Sequence, residues 1–179
     1  MQKSGNGYGG LDKNGIIKKV LKEEMPLQEN IRIRIDDFKQ KYWAEKVIGV
    51  HIRYTDRKNL GRLLDRYPDA HIFLATDNKN VEEEYKSKFK NVFSTSKWYP
   101  ESGGSMHQNG GCENKVENGI EALVDMYLLA DCDGLVYSGQ STFSVISSIL
   151  SDANRSDIID IDRFNLKLHL KTFIRELVA

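Results

Sequence analysis

Apolar residues recur along this chain with two alternating periods. From Leu11 to about Met25, Ile16, Ile17, Val20, Leu21 and Met25 fall at helical spacing, and Pro26 opens a new segment. A second helix is predicted from Leu27 to about Trp43, with Ile31, Ile35, Phe38 and Trp43 on one stripe. The pattern then changes. Val47 to Arg53 is a β-branched run without polar alternation until its end, as expected of a strand covered by helices on both faces. The same grammar recurs in a strand His71–Thr76, a helix from about Asn80 to Phe89 and a short strand Asn91–Ser94. After a long loop from about Thr95 to Val116 come a helix Glu117–Asp131, a strand Gly134–Tyr137, a helix Ser141–Leu150, a strand Asp157–Ile161 and a C-terminal amphipathic helix. This βαβ rhythm predicts an α/β fold: a Rossmann-like open parallel sheet of about five strands in the order 3-2-1-4-5. The expected organisation is a flexible Gly-rich segment over 1–10, a helical lead-in over 11–45 and one Rossmann-like domain over 46–179.

Composition narrows the function. The 179 residues carry 26 Lys plus Arg against 26 Asp plus Glu, a formal net charge of +0, so no excess of cations marks a nucleic-acid or anionic-membrane surface. Cys112 and Cys132 lack a CxxC spacing or nearby histidines, and both read as reduced thiols. No apolar h-region or stretch of about 18 apolar residues is present, and a soluble cytoplasmic chain is the expectation.

In open parallel sheets ligands bind beyond the carboxyl ends of the strands. Those ends here carry His51 to Arg57, Thr76-Asp77, Thr95 to His107 and Ser138 to Ser144. His51 and Arg53 share one strand face, so Arg53 needs an anion where the strand emerges. That anion is either Asp56 or Asp77 in a structural ion pair, or a bound phosphate gripped by the guanidinium fork with Arg57 as a second cation. His51 alone is more simply a hydrogen-bonded core histidine. The segment Ser138-Gly-Gln-Ser-Thr-Phe-Ser144 precedes a helix, and its unpaired amides suit an anion, although Ser141 could equally serve as an ordinary N-cap. Neither GxGxxG nor GxxxxGK[ST] occurs. Asp125 lies in a helix that is apolar nearly all round, without Lys or Arg at i±3 or i±4; it is either hydrogen-bonded to a loop or reserved for a ligand such as guanine, whose N1–H and N2–H stand side by side.

The segments VIGVHIRYTDR, IFLATDN and ALVDMYLLADCDGLVYSGQSTFS, in this order, resemble the donor-binding half of fucosyltransferases of the nodulation protein Z and α1,6-fucosyltransferase type over about Ile31 to Leu150. The resemblance implies the C-terminal half of a two-domain GT-B glycosyltransferase that takes fucose from GDP-fucose with inversion, without a metal or other cofactor, and passes it to a glycan acceptor. It matches Arg53 to the arginine at the donor diphosphate, the residue expected to be catalytic. It matches His51 to the histidine at the nucleotide, Asp125 to the acidic residue holding guanine, and Ser141 with Thr142 to the phosphate-contacting turn. Asp56 and Asp77 fall on acidic positions of that pocket, and Arg57 stands where the α1,6 enzymes have a lysine. Those enzymes carry a glutamate shortly after their TDK, whereas Lys58-Asn59-Leu60-Gly61 holds no carboxylate, so the resemblance assigns no base. Only about 45 residues precede the motif, and the acceptor half is expected to be missing from this chain. A non-catalytic nucleotide-sugar-binding remnant, or one half of a split enzyme, is the alternative. A receiver-like domain would need an acidic pair after the first strand and a strand-end lysine.

Overall fold

In the computed structural model, residues 8–51, 57–99 and 112–163 are described here, without the side chains of residues 57–59. Five strands form one parallel sheet: β1 (Val47–His51), β2 (His71–Ala75), β3 (Val92–Phe93), β4 (Gly134–Tyr137) and β5 (Ile158–Asp160). Their order is β3-β2-β1-β4-β5, the order expected from the hydrophobic grammar. β1 pairs with β2 from Val47 opposite His71 to His51 opposite Ala75, and with β4 from Ile48 opposite Gly134.

The helices α1 (Lys13–Lys19), α2 (Glu29–Tyr42), α3 (Arg57–Arg66), α4 (Lys79–Lys88), α5 (Lys115–Ala130) and α6 (Thr142–Leu150) surround the sheet. α1 is shorter than its apolar spacing suggests, because Val20–Glu24 continues it as a π-helical turn. α3 is absent from the elements expected from sequence, although Leu60, Leu63, Leu64 and Tyr67 fall at i, i+3, i+4 and i+7. Its five charged residues dilute the stripe. The expected C-terminal helix lies outside the described residues, as do Arg53 and Asp56.

Side-chain alternation along β1 divides the core into two layers. Val47 joins Phe73, Leu135, Ile31 and Ile35 of α2 and Leu128 of α5 on one face. Ile48 and Val50 join Ile72, Leu74, Val136, Leu60 and Leu63 of α3 and Tyr85 of α4 on the other. Every residue of β1 is buried, which explains its unbroken apolar run. Burying each large side chain in these layers contributes roughly 1.5–3 kcal/mol.

Gly49 sits against Leu129 of α5 and Cys132 just beyond that helix. A Cβ there would stand 2.9 Å from Cys132 Sγ and 3.1 Å from Leu129 Cδ2. Gly49→Ala is therefore expected to cost about 1–3 kcal/mol by overpacking. Denaturant titration should show the midpoint fall for Gly49→Ala and partly recover in the double variant with Cys132→Ala. An unchanged midpoint in the single variant would contradict this packing.

Candidate nucleotide site at the carboxyl edge of the sheet

The polar residues expected at the strand ends do collect at one edge. His51 closes β1 on the face shared with α5 and α6, 8% exposed, its ring centroid 4.9 Å from that of Phe143 in α6. Thr76 follows β2 almost fully buried, and its Oγ1 accepts from Asn78 N–H at 3.2 Å. Asp77 lies in the bend beyond it. Arg57 is the first residue of α3.

Ser141 occupies the N-cap position of α6 and is buried, while Thr142 begins the helix and is exposed. Ordinary side-chain capping is not what Ser141 does: its hydroxyl makes no capping hydrogen bond. The turn is held instead by neighbours. Ser144 Oγ donates to Ser138 O at 3.1 Å, Gly139 N–H donates to Asp160 Oδ1 at 2.9 Å, and Ser138 Oγ donates to Asp162 Oδ2 at 2.5 Å. Carboxylates from the end of β5 and just beyond it thus accept from the Gly139 and Gln140 amides of this turn.

Asp125 is buried in α5, and the first of its two open readings holds in this structure: it is hydrogen-bonded to a loop. Thr95 Oγ1 donates to its Oδ1 at 2.6 Å, and Lys97 Nζ donates to its Oδ2. The Lys97 and Asp125 side chains are 1% and 6% exposed, so this is a buried ion pair. Sequence reasoning missed Lys97. Its partner is 28 residues away, and helical i±3 and i±4 spacing could not reveal it; the available signal was Thr95 and Lys97 at i, i+2 in a segment without helix period, which puts both on one side.

The surrounding coil continues this polar seam. Trp98 N–H donates to Glu121 Oε2 at 3.4 Å, and burial pushes the Glu121 carboxyl above its ordinary value. Burial would also raise Glu82, but hydrogen bonds from Lys86 and Ser94 outweigh it and hold that carboxyl below its usual range. Burial and then the Glu82 carboxylate push the Tyr99 phenol above its ordinary value.

Clefts of about 400 and 380 Å³ open elsewhere, at the opposite edge of the sheet, beside Lys46, Arg66 and Tyr67 and beside Lys39, Asp131 and Asp152. Their charges are largely satisfied internally: Arg66 and Tyr67 hold Asp157, and Lys46 holds Asp133 at 3.1 Å. Among the described residues no group of three or more His, Cys, Asp or Glu could hold a metal, and no helix is long and apolar enough to cross a membrane.

A five-stranded parallel sheet in the order β3-β2-β1-β4-β5 with helices on both faces defines a doubly wound α/β domain. The chain belongs to the nodulation protein Z (NodZ) family, whose model matches residues 59–167, about three fifths of its length. It is 28% identical over 130 residues to nodulation protein Z of Sinorhizobium fredii, covering 66% of this chain and 39% of that protein. It is 25% identical over 154 residues to the Azorhizobium caulinodans protein, covering 72% and 46%. Among solved structures, NodZ α1,6-fucosyltransferase soaked with GDP-fucose superposes with a TM-score of 0.55 at 28% identity, over 78% of this chain and 46% of that one. Fucosyltransferase NodZ from Bradyrhizobium gives 0.54 at 28%, over 77% and 46%. The chain spans less than half the length of these relatives.

Removing either partner of the buried pair leaves an uncompensated charge, and Lys97→Met and Asp125→Asn are each expected to lose about 3–5 kcal/mol. A double-mutant cycle in unfolding free energy should show the two losses far from additive. Additive losses would mean that the pair does not exist in solution.

A second test concerns Glu121. Because folding raises its pKa, its contribution is fully present below its unfolded value near 4.5 and is lost as pH rises through the folded value. Glu121→Gln should flatten that falling limb of the stability–pH curve; an unaltered limb would assign it to another group.

Proposed function

We propose that this chain is the donor-binding half of a GT-B fucosyltransferase, taking GDP-fucose or a closely related GDP-sugar for inverting, metal-independent transfer to a glycan. The observation that supports this most is membership of the NodZ family, joined to a carboxyl edge that carries a buried carboxylate and an anion-accepting turn. In this reading residues 46–179 form the nucleotide-sugar unit and 11–45 a helical lead-in packed on it.

Guanine would set N1–H and N2–H against Asp125. A carboxylate offers about four lone-pair sites, and Thr95 and Lys97 use two of them. His51 would lie beside the nucleotide, and the diphosphate would lie between Arg53 and the turn of Ser141 and Thr142. Arg57 would add a second cation, with Asp56 and Asp77 as acidic residues of the same pocket. As the sugar leaves, negative charge builds on GDP, and fixed positive charge from Arg53 and the α6 N-terminus would stabilise it. That role makes Arg53 the catalytic residue of the proposal. The acceptor would be held by the part of the relatives' length that this chain does not span, because positioning both reactants supplies about 7–11 kcal/mol of barrier lowering.

The test is calorimetric titration with GDP, ADP and UDP. GDP should bind most tightly, and Arg53→Ala and Arg53→Lys should each lose at least about 2 kcal/mol, since a lysine offers one point charge where the guanidinium fork grips two oxygens. Equal affinity for GDP and UDP, or unchanged GDP affinity in Arg53→Ala, would refute the nucleotide-sugar reading. Efficient transfer to a glycan by the isolated chain would refute the division of labour between donor and acceptor halves.

A further inference from the structure

We infer that Lys97 is a specificity-determining residue for the base, donating to O6 of guanine while Asp125 accepts from N1–H and N2–H; this rests on the proposed nucleotide site. The starting observation is an ammonium 1% exposed against a carboxylate 6% exposed. An ammonium has three N–H donors, and among the described residues one of Lys97's is spent, on Asp125 Oδ2. Two donors remain in a place from which water is nearly excluded, where a polar group without a partner is costly.

The pair also has a directional pattern. Thr95 and Lys97 each take one lone pair of Asp125, from the side of the coil after β3, and leave one acceptor site on each carboxylate oxygen. Next to these two acceptors stands the Lys97 donor. The resulting acceptor, acceptor, donor array is the complement of the Watson–Crick edge of guanine, which presents N2–H, N1–H and O6 in sequence. Adenine offers the opposite polarity at its 6-position, an amine that would meet the ammonium donor to donor. Lys97 thus performs two tasks: it offsets the charge of Asp125, and it rejects bases that lack an acceptor at position 6.

Access requires the coil beyond Lys97 to ease outward while Thr95 and Lys97 hold Asp125. The coil from Ser94 to Tyr99 has no helix or strand hydrogen bonding beyond β3, and its tie to α5 at Trp98 N–H is a long 3.4 Å. The base would enter at that seam, between the coil and α5.

The experiment compares GDP, 6-thio-GDP, whose sulfur is a weak acceptor, and inosine diphosphate, which lacks the 2-amino group, on the full chain. In the unsubstituted protein GDP should bind about tenfold more tightly than either analogue. Lys97→Met should abolish the preference over 6-thio-GDP while keeping that over inosine diphosphate, and Asp125→Asn should weaken the second. Each ratio is taken within one variant on its folded population, so loss of stability does not enter it. Equal affinity for GDP and 6-thio-GDP in the unsubstituted protein overturns the inference without any mutation. Tighter GDP binding in Lys97→Met overturns it too, by making the lysine a competitor for Asp125. In both cases a GDP preference over UDP would leave the nucleotide site standing, whereas its absence would remove both.

Discussion

Complete burial of β1 is the constraint on which the rest of the molecule depends. A central parallel strand flanked by β2 and β4 and covered on both faces has no room for a polar side chain until it emerges. That forces an apolar run from Val47 to Val50, a glycine where Leu129 and Cys132 crowd the place of a Cβ, and the first polar residue, His51, at the carboxyl end. The neighbouring strands end at the same level, so Thr76, Thr95 and Ser138 emerge beside it. The polarity of one sheet edge is thus a consequence of core packing along the whole sheet.

The buried Lys97–Asp125 pair works against this economy. Two charges taken out of water are repaid only with good geometry and further hydrogen bonds, and an apolar replacement would often stabilise as well. On the proposed function, its place inside an otherwise apolar helix face serves recognition rather than stability. The exposed pairs of the chain, such as Lys19–Glu23 and Lys88–Glu84, are of a different kind and contribute a few tenths of a kcal/mol each.

How much could be read from the sequence follows from which interactions are local. Strand identities and their order were legible because β-branched runs without alternation mark buried parallel strands, and because βαβ connections admit few arrangements. Asp125 stood out as a carboxylate on an apolar helix. Lys97 did not, because its significance depends on a contact across 28 residues that no local period encodes. α3 was hidden by its charges despite a regular leucine spacing, and the continuation of α1 as a π turn left no mark in the apolar pattern. The turn before α6 was recognised as suited to an anion, but the carboxylates of Asp160 and Asp162 that meet it come from a distant strand end.

The central claim, that the carboxyl edge of the sheet is a GDP site, is tested most directly by amide NMR during titration with GDP. The account predicts that shifts concentrate at Thr76, Thr95, Lys97, Asp125 and the Ser138–Thr142 turn, and leave Tyr67, Asp69 and Asp133 at the opposite edge unmoved. Shifts confined to that opposite edge, beside the clefts of Arg66 and Asp131, would contradict it.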